Sequence, residues 1–288
     1  MESAGDSNIL NKFMCVTCGV QYQESDGPPS GCMICEDERQ YVGWKGQRWT
    51  TLDKMRSQKY ANVLQAVEHN LTSVRTVPSF GIGQRAFFVQ TRNGNLLWDC
   101  VSYIDEKTIA AVRDLGGISA IVISHPHYYS TMVEWSESFD DAPIYIHSAD
   151  RKWITRASPN IRFWNEETVI PLHGLNLIHL GGHFPGGTVL FWPEGASGRG
   201  VVLSGDILQV VMDRRWVSFM YSYPNLIPLP QSTVEEIAAR MRHYRYDRLY
   251  GAFEGREILS EADEAVQRSA RRYVQHLQAT TQPTIIQN

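Results

Sequence analysis

Short apolar runs alternate with glycine- and proline-containing breaks along most of this 288-residue chain. Runs such as 85–90 and 118–124 are rich in β-branched and aromatic residues, which predicts strands. Segments such as 105–117 and 260–278 repeat their apolar residues at helical spacing, which predicts amphipathic helices. Residues 56–70 are polar and predict a helical or irregular stretch. The alternation of hairpins with helix-and-strand units predicts an α/β sandwich.

The strand predicted at 118–124 ends in a pair of histidines. Its apolar run stops at Ser124 and is followed by His125, Pro126 and His127. Proline cannot continue a strand ladder and keeps the residue before it extended, so the chain leaves the sheet at this point. Two imidazoles at the end of a buried strand can face one spot, and imidazole is a common ligand of zinc and iron. Taken alone, two polar loop residues would explain the pattern equally well.

Two later apolar runs end in the same way, each with a glycine turn that delivers one candidate ligand. The run 177–180 leads into Gly-Gly-His183-Phe-Pro-Gly-Gly, and the run 201–203 leads into Ser-Gly-Asp206. Glycine suits positions where the backbone turns tightly or passes close to a bound group. Three strand ends that together offer three histidines and one aspartate predict a metal-binding set. Its ligands are His125, His127, His183 and Asp206.

This order of motifs resembles the metallo-β-lactamase superfamily over roughly residues 75–260. The pattern consists of a strand ending in His-x-His, then Gly-His-x-Pro-Gly, then Ser-Gly-Asp. Upstream, Asn95-Leu-Leu-Trp-Asp99 resembles the family's early strand that ends in an aspartate. The resemblance implies an αββα sandwich with a metal site at its strand ends. It also implies that Asp99 is a buried support that orients the metal loop.

The sequence departs from the family at the second metal site. The family's motif is His-x-His-x-Asp-His, but Tyr129 stands at the Asp place and Ser130 at the last His place. The late strand end that usually carries a histidine corresponds to 250–255, which has none. The resemblance therefore implies one metal ion rather than two. Tyr129 is a candidate catalytic residue that either donates a hydrogen bond to an oxyanion or fills the vacated site.

A separate metal signal lies near the N-terminus. Two Cys-x-x-Cys pairs are separated by thirteen residues, and four thiolates at such spacing close a tetrahedral zinc site. Two disulfides and a redox dithiol are the alternatives. A reducing compartment disfavours the first, and the lack of a surrounding βαβ pattern disfavours the second. The four cysteines are Cys15, Cys18, Cys32 and Cys35.

The cysteine pairs and the histidine–aspartate set predict how the chain is divided and which cofactors it binds. We expect a zinc-ribbon-like segment over residues 1–50 and a metallo-β-lactamase-like domain over residues 51–288. One structural zinc would be bound by the cysteines and one catalytic zinc by the histidine set, with iron possible at the catalytic site.

Composition excludes several classes of function. Hydrophobic residues make up 43% of the chain and charged residues 20%, as in soluble globular proteins. The formal net charge of −4 gives no global attraction to nucleic acid or anionic lipid. No apolar run approaches the roughly 18 residues of a membrane span, and the polar N-terminus lacks a signal-peptide apolar region. We expect a cytoplasmic protein that acts on a small molecule, without nucleic-acid or membrane partners. The sequence does not indicate an oligomeric state.

The connection that follows Asp206, residues 207–230, is unusually rich in aromatic residues, methionine and proline. It either packs over the core or lines a substrate pocket. Guanidinium groups bind carboxylates through two hydrogen bonds, so the arginine pair in this connection could hold a substrate carboxylate, although a solvated surface pair is the commoner explanation. The candidate pocket residues are Arg214, Arg215, Tyr221, Tyr223 and Glu254.

The resemblance implies a metal-dependent hydrolase. A metal-bound hydroxide would attack an ester, thioester, lactone or amide, and Asp206 would ligate the metal or accept a proton from the attacking water. Two alternatives stay open. One is a mononuclear iron enzyme that oxidises thiols with His125, His183 and Asp206 as ligands, as some superfamily members do. The other is a catalytically degenerate domain kept for binding.

Overall fold

The computed structural model describes residues 10–165, 169–172 and 174–278. Within these residues the strands are β1 (Phe13–Cys15), β2 (Trp49–Thr51), β3 (Ala61–Glu68), β4 (Leu71–Val77), β5 (Ala86–Val89), β6 (Leu96–Trp98), β7 (Ala120–Val122), β8 (Ile144–His147), β9 (Ile161–Trp164), β10 (Val169–Leu172), β11 (Leu175–His179), β12 (Thr188–Trp192), β13 (Val201–Leu203), β14 (Gln209–Val210), β15 (Val217–Ser218), β16 (Met220–Ser222), β17 (Ile227–Pro228), β18 (Arg248–Tyr250) and β19 (Glu257–Ile258). The helices are α1 (Leu52–Arg56), α2 (Glu106–Asp114), α3 (Met132–Ser138), the short distorted α4 (Gly195–Gly198), α5 (Gln231–Met241) and α6 (Ala262–Gln278).

Two large sheets form the centre of this described structure. The first has the order β3-β4-β5-β6-β7-β8-β9, antiparallel as far as β6 and parallel from β6 to β9. The second has the order β10-β11-β12-β13-β18-β19, in which β13 and β18 are parallel. Parallel neighbours need a crossover connection, and α2 and α3 supply it between β6 and β7 and between β7 and β8.

The sheets pack face to face, and helices cover their outer faces. Alternation along β6 shows this directly, because Leu96 and Trp98 face the layer between the sheets while Leu97 faces the outer core. Val122 of the first sheet and Leu203 of the second share the same inner layer. Apolar residues of α5 and α6 cover the outer face of the second sheet. This αββα layering confirms the predicted fold class.

The prediction for residues 56–70 was wrong, because most of this stretch is strand β3. Ala61–Glu68 pairs antiparallel with β4 at the edge of the first sheet. Most of its side chains are partly or fully exposed, so the strand carries little of the apolar signal that marks a buried one. The pairing with β4, rather than local sequence, determines its conformation.

The N-terminal segment packs onto the first sheet. Its strand β1 pairs with β2, and its buried residues Met14, Val20 and Ile34 belong to one hydrophobic core with Val101 and Tyr103. The predicted domain boundary at residue 50 stays a prediction. Among the described helices, none combines the length and the apolar character that crossing a membrane demands.

Candidate metal centre

Four buried donor side chains meet where strands of both sheets end. His125 and His127 follow β7, with His127 inside a 3₁₀ turn, while His183 follows β11 and Asp206 follows β13. One donor atom from each lies within 4.8 Å of the others. The amide of Thr188 donates to the carbonyl of Ser124 at 3.0 Å and joins the two sheets at this edge. The structure thus brings together all four ligands that the sequence predicted.

The spacing of the donor atoms fits a metal ion. Nδ1 of His127 lies 3.3 Å from Nε2 of His183, and Nε2 of His125 lies 3.6 Å from Oδ2 of Asp206. A tetrahedral zinc site with bonds of about 2.0–2.1 Å separates its nitrogen donors by about 3.3 Å. Nε2 of His125 and Oδ1 of Asp206 are buried and have no hydrogen-bond partner among the described residues. Since buried polar atoms are almost always paired, these atoms indicate a site suited to a cation.

Two histidines are held in the tautomer that suits a ligand. Nδ1 of His183 donates to the carbonyl of Met220 at 3.1 Å, which leaves Nε2 facing the cluster. Nδ1 of His125 lies 2.8 Å from the hydroxyl of Ser124, and that hydroxyl donates to Asp99 at 3.0 Å. Asp99 also accepts the amide of Ser124 at 2.7 Å. It therefore stands behind His125, where the resemblance places a supporting carboxylate.

Burial sets the protonation of these groups. It lowers the pKa of His127 and of His183, and the neighbouring histidines lower both further. The charge of Asp206 opposes this at His183, whose pKa is lowered to about 4. Both rings are therefore neutral at pH 7, which is the form that binds a metal. Burial by itself would raise the pKa of Asp206, but the neighbouring imidazoles of His125 and His183 bring that pKa below its usual value. Burial raises the pKa of Asp99 to about 8, against two opposing hydrogen bonds from Ser124.

The tyrosine that lies against the cluster is Tyr128 rather than Tyr129. The ring of Tyr128 is 4.4 Å from that of His125, and its buried hydroxyl has no hydrogen-bond partner among the described residues. The hydroxyl of Tyr129 instead donates to the carbonyl of Asp150 at 3.1 Å. The sequence pattern drew attention to Tyr129 because of its motif position and missed Tyr128. The 3₁₀ turn after β7 and the carbonyl of Asp150 together decide which phenol faces the donors.

The candidate pocket residues divide into two groups. Tyr223 donates to the carbonyl of Asp206 at 3.0 Å, with its ring 5.6 Å from that of His183. Tyr221 lies beside the centre, because its ring stacks at 4.2 Å on the guanidinium of Arg39. Arg39 in turn donates to the carbonyl of His183, a contact that no sequence signal indicated.

The other candidates lie on the surface. Arg214 is exposed, Arg215 pairs with exposed Asp213 at 2.8 Å, and Glu254 lies 3.5 Å from Arg75. The cavity that the two arginines help to line includes none of the four donors. A substrate contact by these three residues stays a prediction without support from their positions.

The four cysteines form a second buried cluster. Sγ of Cys15 lies 3.6 Å from that of Cys35, and Sγ of Cys18 lies 3.6 Å from that of Cys32. None is disulfide-bonded. Tetrahedral zinc with bonds of about 2.3 Å separates its sulfurs by about 3.8 Å, so the cluster also fits a metal. Gln47 donates to the sulfur of Cys15 at 3.2 Å, as expected for a thiolate.

Comparisons with known proteins agree with this architecture. An uncharacterized protein of Bacillus subtilis strain 168, YmaE, is 54% identical over 266 residues, which cover 92% of this chain and 96% of YmaE. A metallo-beta-lactamase from Pontibacter korlensis is 12% identical with a TM-score of 0.56, over 76% of this chain and 100% of that one. The DIM-1 metallo-beta-lactamase is 13% identical with a TM-score of 0.54, over 73% of this chain and 97% of that one. At such identities the solved structures show a common fold alone.

A match to a family model shows family membership in addition to the common fold. The model of the metallo-beta-lactamase superfamily matches residues 81–252, more than half of the chain. That stretch contains all four donors and their supporting Asp99. The chain therefore belongs to the metallo-beta-lactamase superfamily.

Proposed function

We propose that this protein is a hydrolase with one metal ion, zinc, at the cluster of His125, His127, His183 and Asp206. Its substrate would be a small molecule with an ester, thioester, lactone or amide bond. The observation that carries the proposal is the buried donor set itself, whose spacing fits a cation and whose Nε2 of His125 and Oδ1 of Asp206 have no other partner. The superfamily supplies the expectation of hydrolysis.

The side chains at the positions that would bind a second metal ion have other hydrogen-bond partners, which favours a single metal ion. The hydroxyl of Tyr129 is engaged with the carbonyl of Asp150. The hydroxyl of Ser130 donates to the carbonyl of Cys100 at 3.1 Å and accepts from Gln84 at 3.0 Å. These side chains serve internal hydrogen bonds, so they offer no replacement for the lost ligands.

The chain's own groups suit acyl transfer to water. A bound zinc ion would lower the pKa of a water to about 7 and polarise a carbonyl oxygen. Asp206 is ionised at neutral pH, so it can ligate the metal or accept a proton from the attacking water. The hydroxyl of Tyr128, which has no protein partner among the described residues, can donate a hydrogen bond to a developing oxyanion.

The cysteine cluster supports a second zinc ion and a reducing compartment. Four thiolates buried together repel one another unless a cation lies between them, and their spacing fits zinc. Thiolate sites of this kind persist where thiols stay reduced, so we propose a cytoplasmic location. No nucleic-acid or membrane partner forms part of the proposal.

Elemental analysis combined with one substitution tests the proposed function. The wild-type protein should contain two zinc ions per chain and hydrolyse at least one member of an ester, thioester and lactone panel. His183→Ala should retain one zinc and lose turnover, whereas His243→Ala, at an exposed histidine, should behave as the wild type.

Other outcomes would redirect the proposal. Wild-type protein with one zinc that His183→Ala leaves unchanged would indicate a binding protein without a catalytic metal. One zinc and one iron, with oxygen consumed in the presence of a thiol, would indicate the iron oxygenase instead.

A further inference from the structure

The segment that follows Cys35, the last cysteine of the four-cysteine cluster, reaches the metal centre. Arg39 lies four residues after Cys35, and its Nε donates to the carbonyl of His183 at 2.8 Å. Its guanidinium also lies 4.7 Å from the ring centroid of Phe184, the next residue of the ligand loop. A side chain from the N-terminal segment thus contacts both the backbone of a metal ligand and its neighbour.

Arg39 is itself held in place by its own segment. Nη1 lies 2.8 Å and 3.0 Å from the two carboxylate oxygens of Asp37, and Asp37 also accepts the amide of Arg39 at 3.0 Å. The side chains are only 13% and 16% exposed, so solvent screens this pair less than a surface one. A guanidinium fixed in this way presents Nε in one direction.

The hairpin β16–β17 holds the same segment from the other side. Ser222 donates to the carbonyl of Arg39 at 3.0 Å, and Asn225 donates to the carbonyls of Glu38 and Gln40 at 2.9 Å and 3.1 Å. The same hairpin supplies the carbonyl of Met220 that accepts Nδ1 of His183. The hairpin therefore holds the ring of His183, and Arg39 holds its backbone carbonyl. The hairpin and the segment that carries Arg39 are in turn hydrogen-bonded to each other.

The cysteine cluster determines where this segment begins. The amides of Cys35 and Glu36 both donate to the carbonyl of Cys32 at 2.9 Å, which forms a tight turn at the second cysteine pair. The sulfur of Cys35 lies in the buried cluster. The path from a metal-binding cysteine to Arg39 is therefore short and hydrogen-bonded.

We propose that Arg39 is a positioning residue of the metal centre and that the cysteine segment serves to deliver it to the loop of His183. Arg39 fixes the backbone of the ligand loop, so that His183 meets the other donors at metal-binding distance. The inference rests on the metal-binding part of the proposed function and does not depend on hydrolysis.

Cobalt(II) substitution of the full-length protein tests this role. Cobalt on thiolates gives intense charge-transfer bands, whereas cobalt on imidazole and carboxylate gives weaker visible bands, so the two sites are read separately. Arg39→Ala should weaken cobalt binding at the histidine cluster by about 10- to 100-fold, the usual effect of removing a group that orients a ligand. The thiolate bands should stay unchanged. Arg39→Lys, which keeps one hydrogen-bond donor, should lose less cobalt affinity at the histidine cluster than Arg39→Ala.

Matched variants make the outcome specific. Arg48→Ala removes an exposed arginine from the same segment and should bind cobalt as the wild type does. Asp37→Ala leaves Arg39 present but unheld and should give an intermediate loss, a second test if Arg39→Ala does not fold. Equal cobalt affinity in Arg39→Ala and Arg48→Ala would overturn the proposal, and so would a parallel loss of both sets of bands. Because no substrate is used, failure of the hydrolase assay leaves this result unaffected.

Discussion

Tyr128 and Tyr129 are neighbours in sequence and both are buried, but their hydroxyl groups have different surroundings. The hydroxyl of Tyr129 has a carbonyl partner, that of Asp150. The hydroxyl of Tyr128 has none among the described residues and lies in the environment of His125 and Asp206. A buried hydroxyl without a partner costs stability, so its presence beside the donors suggests a role with substrate.

Replacing each tyrosine with phenylalanine separates the two roles. Tyr128→Phe should lower kcat by about 100-fold, as removal of one oxyanion donor commonly does, and leave stability unchanged or slightly improved. Tyr129→Phe should lower the free energy of unfolding by about 1 kcal/mol and keep kcat. Kinetics on a substrate from the panel and urea unfolding measure both effects. The reverse pattern would restore the catalytic role that the sequence predicted for Tyr129.

Asp150 is a buried carboxyl that should make stability depend on pH. Burial raises its pKa to about 7, although it accepts the amide of Gly186 at 2.9 Å. The folded pKa lies above that of the unfolded chain, so this group's stabilisation is complete below about pH 4 and is lost as pH rises towards 7.

Asp150→Asn should remove that dependence. The free energy of unfolding of the wild type relative to Asp150→Asn should fall by up to about 4 kcal/mol as pH rises from 4 to 7.5. Urea unfolding of both proteins across this range measures the difference. A difference that stays constant with pH would show that Asp150 is already ionised in the folded protein at pH 4.

At the scale of elements, the loop between β11 and β12 carries His183 and depends on a glycine at its end. A Cβ atom on Gly187 would lie 2.5 Å from the carbonyl oxygen of Gly181 and 2.7 Å from Cδ1 of Ile207. The first contact is with backbone of the same loop, so a side chain there must displace the loop. The loop that delivers the ligand is closed by this approach, which only glycine permits.

Gly187→Ala should therefore damage both stability and the metal site. We expect a loss of about 1–3 kcal/mol in the free energy of unfolding, as for other overpacked positions, together with weaker metal retention. Gly27→Ala is the matched control, because nothing lies within 4 Å of its Cβ position. The control should change stability by less than about 0.5 kcal/mol. Urea unfolding and elemental analysis check both variants. Equal stability and equal metal content in the two variants would contradict the role given to Gly187.

At the scale of the whole molecule, the N-terminal segment and the first sheet share a core. The four cysteines are among its buried residues, together with Val101, Trp135 and Ile144. The segment also bonds to the ligand region, since the amide of Gln21 donates to the carbonyl of Ser130 at 3.0 Å. Loss of the cysteine-bound metal should therefore affect more than the segment that carries the cysteines.

Removing that metal should destabilise the chain as one unit. We expect the melting temperature to fall by about 10 °C or more, the shift that a loss of about 4 kcal/mol gives in a protein of this size. Thermal melts of His183→Ala, which keeps only the cysteine-bound metal, measure the change before and after treatment with a strong chelator. The melts are followed by tryptophan fluorescence and by circular dichroism. Two separate transitions, with the main one unchanged, would instead show that residues 1–50 fold as an independent domain.

The sequence by itself determined the fold class and the four donors of the metal centre. Each donor lies in the loop that follows a strand. Proline or glycine after an apolar run marks the end of the strand, so the local sequence predicts where the donor side chain lies. The spacing of the cysteine pairs is equally local. Strand β3 was not predicted, because its side chains at the sheet edge are partly or fully exposed and its sequence therefore lacks the apolar pattern of a buried strand.

Only the tertiary structure decided which groups surround the donors. Arg39 lies 144 residues from His183 in sequence, and no spacing rule links an arginine to a carbonyl at that separation. The choice of Tyr128 over Tyr129 depends on the turn after β7 and on the carbonyl of Asp150, which comes from another element. Local patterns specify what a strand end presents, whereas contacts between distant segments depend on how the sheets, hairpins and loops pack.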